Sequence, residues 1–287
     1  MNIKSIAAYV ELTKPKVTAL LTLGGIAGGF LAYSHSAWIR IVIGTIAVII
    51  ASSGINCITN YIDRDIDAVM ERTKNRPLPT GRITPPIKAV YLGIVLVILS
   101  IIILIPFSIY AVIWIIIGVL FDPIFYNYYT KRKTAWNIII GSFAGGAPVF
   151  VVWATVTNQL FSIYPFLLFL LIVLWTPIHI WSLSIKYVKD YKNANIPMLP
   201  VAKSVSYTIR TIGIFSILLF LVSVAVYFEL SLNFVIMAVL IIINLILLIY
   251  SLSLFFRASE KTAYILFKIT SPYLALVFLI VIIHALI

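Results

Sequence analysis

Long apolar runs dominate this chain and decide what it can fold into. Nine stretches of about twenty residues pass almost without charge, at roughly 17–34, 38–58, 88–106, 108–127, 137–155, 163–185, 209–228, 233–255 and 263–285. A run of that length crosses the hydrocarbon core of a bilayer as a helix, because a helix satisfies its own backbone N–H and C=O groups where no water can. Of 287 residues, 62% are hydrophobic and 10% charged, where soluble domains carry about a quarter charged. The expected fold is all-α: a polytopic membrane protein with nine transmembrane helices in a single domain, 1–287. The lone cysteine, Cys57, excludes an internal disulfide and a cysteine-based metal cluster.

A formal net charge of +12 could suggest nucleic acid, but the placement of the charges points to membrane topology instead. With the N-terminus inside, 20 of the 21 Lys and Arg fall on one side of the nine spans, from Lys4, Lys14 and Lys16 to Arg257, Lys261 and Lys268. Arg40 alone falls on the other. That asymmetry is the positive-inside pattern. It predicts a multi-pass cell-membrane protein whose N-terminus and long polar connections, 59–87 and 186–208, face the cytoplasm. The first sixteen residues show no short apolar core with a small-residue cleavage site, so no removable leader is expected. The partner is the lipid bilayer, and no nucleic acid is expected.

The most informative polar segment is NCITNYIDRDIDAVMERTKNRPLPTGR, at the mouth of the second run. Asn56, Asn60, Asp63 and Asp67 stand 4, 3 and 4 residues apart, which lays them along one helix stripe. Asp65 falls off that stripe. A row of carboxylates at a bilayer boundary is costly and so reads as functional. Asp63 and Asp67 are hard oxygen ligands one turn apart, and Mg²⁺ is commonly held by one or two carboxylates plus substrate phosphates. A solvated helix end is the plainer alternative.

A second segment, HIWSLSIKYVKDYKNANIPMLPV, places His179, Lys186 and Asp190 7 and 4 residues apart, on one face of a continuous helix. Asp190 then lies at the cytoplasmic mouth with His179 deeper in the membrane. His179 is either a ligand or a core histidine satisfied by a hydroxyl or backbone group. Lys131 and Arg132 suit diphosphate oxygens, Arg by its bidentate fork and Lys as a point charge, although they also serve as topology anchors. Gly141, Ala144, Gly145 and Ala147 read first as a close helix contact.

Together, NYIDRDIDAVMERTKNRPLPTGR, YTKRKT, GSFAGGAPV and KDYKNANIPMLPV resemble the haem O synthase (protohaem IX farnesyltransferase) branch of the UbiA superfamily of intramembrane prenyltransferases. The resemblance runs from about residue 10 to 210. It implies a helix bundle around a central cavity open to lipid, in which two acidic loops hold a prenyl diphosphate through Mg²⁺. By position, Asp63, Asp67 and Asp190 become the metal carboxylates, with Lys131 and Arg132 assisting. Asn56, Asn60, Arg72, Arg76, Lys186 and His179 become substrate-binding candidates. Two positions depart from the superfamily pattern: Thr59 stands where an asparagine is usual, and Ala194 where a second aspartate is usual. The implied reaction joins farnesyl diphosphate to a vinyl group of haem b to give haem O, which is handed to a haem A synthase or a terminal-oxidase assembly. A sister enzyme acting on a quinone precursor, chlorophyllide or glycerophosphate lipid is the nearest alternative. A cation-coupled transporter is a further one, but its polar stripe should cross the membrane rather than cluster at one face.

Overall fold

The computed structural model describes residues 3–34, 36–230, 234–256 and 259–287. Arg257, counted above among the inside charges, lies outside the described residues. No strand occurs among them. The short helix α1 (Ile3–Leu12) leads into α2 (Pro15–Phe30), α3 (Trp38–Ile62), the short α4 (Arg64–Val69), α5 (Lys88–Leu104) and α6 (Ile109–Val119). Helix α6 continues as a π-helix over Leu120–Thr130. Then come α7 (Asn137–Thr157), α8 (Ile163–Lys186), the short α9 (Val188–Asn193) and α10 (Leu199–Ala202), α11 (Val205–Glu229), α12 (Phe234–Ser253) and α13 (Glu260–Leu286).

The helix boundaries follow local chemistry. Pro15 opens α2 at a position where a missing N–H costs nothing. The Ser108, Ser204 and Ser259 hydroxyls cap α6, α11 and α13 by accepting from the backbone N–H three residues on. Among the described residues, seven helices are long and apolar enough to cross a membrane: α3, α6 with its π continuation, α7, α8, α11, α12 and α13. The chain is thus a multi-pass membrane protein. Helices α2 and α5 occupy the first and third expected spans, but at 16 and 17 residues they are shorter than the other seven.

The bundle closes on itself. Helix α2 packs on α3, α7 and α13; α7 packs on α6 and α8; α8 packs on α11 and α13; and α12 bridges α11 and α13. Glycines set the closest approaches. A Cβ at Gly28 would collide with the Val149 carbonyl, and one at Gly54 would lie 2.6 Å from the Gly93 carbonyl oxygen. On α7 the close contact is at Gly146, against the Phe169 ring. This revises the reading of the small-residue stripe. Gly141, Ala144, Gly145 and Ala147 all border the cavity, so their smallness leaves room, and Gly141 and Gly145 also pack closely, against the Tyr126 ring and Ile172.

Candidate active site

Inside the bundle is a cavity of about 770 Å³, walled by α2, α3, α6, α7, α8 and α13. Its walls are chiefly apolar, with Trp114, Trp175, Phe267 and Phe278 among them. The polar side chains on its wall are Lys16, Ser52, Asn56, Asp122, Tyr126, Thr176, His179 and Ser271.

The acidic stripe forms at the end of α3. The helix is interrupted at Asp63, yet the repeat survives, since Asp63 N–H donates to Thr59 O at 3.0 Å and Asp67 N–H to Asp63 O at 2.8 Å. Asp63 and Asp67 are 5% and 4% exposed, which rules out the solvated-end alternative for both. Arg76 donates to both Asp67 oxygens from one nitrogen, at 2.9 and 2.7 Å. Asp63 Oδ2 takes a charge-assisted hydrogen bond from Lys131, while Asp63 Oδ1 is buried with no hydrogen-bond partner. Burial alone would lower the Lys131 ammonium, but the Asp63 carboxylate overcomes it and holds that lysine above its ordinary range. Asp65 is exposed and forks with Arg132 at 2.8 and 2.6 Å. That hydrogen bond lowers the Asp65 carboxyl and raises the Arg132 guanidinium.

Proline explains a part of the site that spacing could not show. Pro123 lacks the N–H an α-helix needs, and the chain around it winds as a π-helix. The wider turn brings residues five apart together. Asn127 Nδ2 donates to Asp122 Oδ1 at 2.8 Å, and Asn127 Oδ1 accepts from Lys131 Nζ at 3.3 Å. A polar chain Asp122–Asn127–Lys131–Asp63 results. An aspartate inside an apolar run is itself a signal for Asp122; no sequence spacing points to Asn127.

The second segment differs from its expectation. Helix α8 ends at Lys186 and α9 starts at Val188, so His179, Lys186 and Asp190 do not share one continuous helix face. Lys186 sits 3.4 Å above the Tyr264 ring, turned toward α13. Asp190 Oδ2 is buried without a hydrogen-bond partner, like Asp63 Oδ1. Its neighbour Tyr191 packs in the same apolar cluster as Ile66 and Met70 of the first acidic segment. Arg72 is exposed, and no hydrogen bond or ion pair engages it among the described residues.

His179 borders the cavity, clamped between Trp175 and Phe267 with ring centroids at 4.6 and 4.3 Å. Its Nδ1 lies 2.7 Å from Thr270 Oγ1, whose hydroxyl already donates to Phe267 O at 2.7 Å. With the Thr270 proton directed to Phe267 O, Nδ1–H donates to Thr270 and Nε2 keeps its lone pair. The amide nitrogens of Asn56 and Asn60 donate to the α1–α2 turn, to Thr13 O at 3.1 Å and Leu12 O at 3.0 Å, and Asn56 also borders the cavity.

No three His, Cys, Asp or Glu side chains converge as a preformed metal cage among the described residues. The donor set still suits Mg²⁺. It consists of oxygen ligands, two of them buried orphans, and Mg²⁺ characteristically completes its shell with substrate phosphates.

This fold and site define an all-helical intramembrane protein whose apolar cavity is bordered by Asp122 and linked through Asn127 and Lys131 to the buried carboxylate of Asp63. The UbiA prenyltransferase family profile matches residues 19–282. The chain belongs to that family. A Thermoplasma volcanium protein named "Protoheme IX farnesyltransferase" is 43% identical over 286 residues, covering 98% of each chain. A Desulforudis audaxviator protein of the same name is 36% identical over 95% of this chain and 86% of its own. Among solved structures, a digeranylgeranylglyceryl phosphate synthase superposes with TM-score 0.79 at 21% identity, covering 99% of both chains. A UbiA homolog from Archaeoglobus fulgidus bound to GPP and Mg²⁺ gives 0.69 at 16% identity, covering 96% of this chain and 99% of its own.

Proposed function

We propose that this chain is a protohaem IX farnesyltransferase: it transfers farnesyl from farnesyl diphosphate to a vinyl group of haem b, giving haem O. One juxtaposition carries the mechanism. Buried carboxylate oxygens without partners stand in two acidic segments, Asp63 in one and Asp190 in the other, of a bundle that encloses a large apolar cavity. An ionic diphosphate head and an apolar isoprenoid tail need those two environments side by side. The full-length kinship with farnesyltransferases of that name supports the acceptor assignment.

Asp63, Asp67 and Asp190 would hold Mg²⁺, which would supply electrophilic stabilisation of the departing diphosphate. The chain's own groups do the rest. Lys131, already oriented by Asp63 and Asn127, presents its ammonium to charge building on the leaving oxygens. Arg76 is fixed on Asp67 beside it and adds a second cation. Breaking the allylic C–O bond leaves a cation that water would trap, so the apolar walls keep water away until the vinyl carbon attacks. Attack moves the positive charge to the haem-side carbon. Addition of water there, with loss of one proton, gives the hydroxyethylfarnesyl group. His179, with Nε2 free and its ring clamped, coordinates the haem iron and sets how far the macrocycle enters.

The acid-bearing loops and the N-terminus face the cytoplasm of the cell membrane in this reading, where farnesyl diphosphate is made available. The product passes to a haem A synthase or terminal-oxidase assembly. An acceptor panel tests the assignment. With farnesyl diphosphate and Mg²⁺, diphosphate release should require haem b. Release with a quinone precursor, chlorophyllide or glycerophosphate lipid, and none with haem b, would make the chain a sister enzyme.

A further inference from the structure

The turn between α1 and α2 is held unusually firmly. Asn60 Nδ2 donates to Leu12 O at 3.0 Å, and Asn56 Nδ2 donates to Thr13 O at 3.1 Å and to Thr18 Oγ1 at 3.2 Å. Thr18 Oγ1 in turn donates to Thr13 O at 2.8 Å. On the outer side, Glu11 pairs with Arg82 at 2.7 Å. The residue after Thr13 is Lys14, with φ 49° and ψ 64° in the left-handed region. A non-glycine residue stays there only when its surroundings impose it.

What the strained turn delivers is an ammonium group. Lys14 Nζ reaches inward to Thr59 Oγ1 at 3.5 Å, and no carboxylate lies within ion-pair distance of it among the described residues. Its electrostatic neighbours are Asp63, Asp122, Arg76 and Lys131, the groups of the site itself. Asp67 is engaged by Arg76 and Asp63 by Lys131, so Lys14 is the cation in this group without a direct counter-ion. A partly buried ammonium with one marginal hydrogen bond is costly unless an anion completes it.

We propose that Lys14 is a further diphosphate-binding cation, and that Asn56 and Asn60 act as positioning residues that aim it. The proposal rests on the diphosphate reading above. It also accounts for amides on the acidic stripe: their spacing matches the carboxylates because both serve one anion, Asp63 and Asp67 from the α3–α4 junction and α4, and the amides of α3 through the α1–α2 turn.

Binding of inorganic pyrophosphate with Mg²⁺ to the full chain in lipid nanodiscs tests this without turnover. Lys14→Met should weaken binding by about tenfold or more, as expected for a lost charge-assisted hydrogen bond. Lys14→Arg should recover most of it, and haem b binding should stay at the wild-type level in both, which also reports a folded bundle. Asn60→Ala should weaken pyrophosphate binding in the wild-type background and add nothing in the Lys14→Met background. Wild-type binding that Lys14→Met leaves unchanged overturns the proposal alone, and so do independent, multiplying effects of the two substitutions. Absence of pyrophosphate binding by the wild-type chain overturns the diphosphate reading and the proposal together.

Discussion

Replacing Lys131 by methionine isolates what the Asp63 pair contributes. The two side chains are 15% and 7% exposed, so the pair is buried rather than a surface contact. Asp63 Oδ1 already has no partner, and Lys131→Met would strip Oδ2 as well. Removing one member of a buried pair costs about 3–5 kcal/mol, because the remaining charge is left uncompensated. The residual exposure of Lys131 favours the lower end, about 3 kcal/mol, or roughly a hundredfold in the unfolding equilibrium. Asp63→Asn/Lys131→Met removes both charges and should return to within about 1 kcal/mol of wild type, since a neutral replacement of a buried pair is often tolerated. Denaturant unfolding in detergent micelles, read by tryptophan fluorescence, gives the stabilities; farnesyl transfer gives the activities. Both variants should be inactive, so stability and catalysis separate in the double variant. Wild-type stability in Lys131→Met, or a double variant less stable than either single one, would refute the buried-pair reasoning.

Asp190→Asn should abolish turnover and Mg²⁺-dependent pyrophosphate binding; Asp65→Ala, which removes an exposed pair worth about 0–1 kcal/mol, should leave turnover within a few-fold. His179→Ala should weaken haem b binding and shift the haem absorption spectrum while the affinity for metal-free protoporphyrin IX stays unchanged; equal loss for both porphyrins would remove the iron ligand. Thr270→Val should shift the same spectrum less, through loss of the tautomer-fixing hydrogen bond. With Cys57 replaced, single cysteines at Thr80 and Asn193 should label from the cytoplasmic side only and one at Asn158 only from the other; labelling of Thr80 and Asn158 from one side would refute the topology.

Much of this could be read from spacing because membrane helices leave few options. The long apolar runs became helices at the expected places, with α2 and α5 shorter than a full span. The Asp63–Asp67 register survived the break after Ile62 because two backbone hydrogen bonds carry it across. What could not be read depends on partners far away in sequence. Asn60 keeps the register of the stripe, but its amide donates to Leu12 O, 48 residues earlier. The Asp122–Asn127 contact needs a π register that no α periodicity contains. The His179–Lys186–Asp190 stripe failed because one residue, Tyr187, with φ −109° and ψ 30°, redirects the chain between α8 and α9.

The central claim is that haem b receives both a farnesyl group and a water-derived hydroxyl. Purified chain in lipid nanodiscs, given haem b, farnesyl diphosphate and Mg²⁺ in oxygen-18 water, should yield a porphyrin carrying one farnesyl and one heavy oxygen by mass spectrometry. The same incubation with Asp63→Ala should yield none. Unmodified haem b together with diphosphate release and free farnesol, or a farnesylated porphyrin whose oxygen is not from water, would contradict the account.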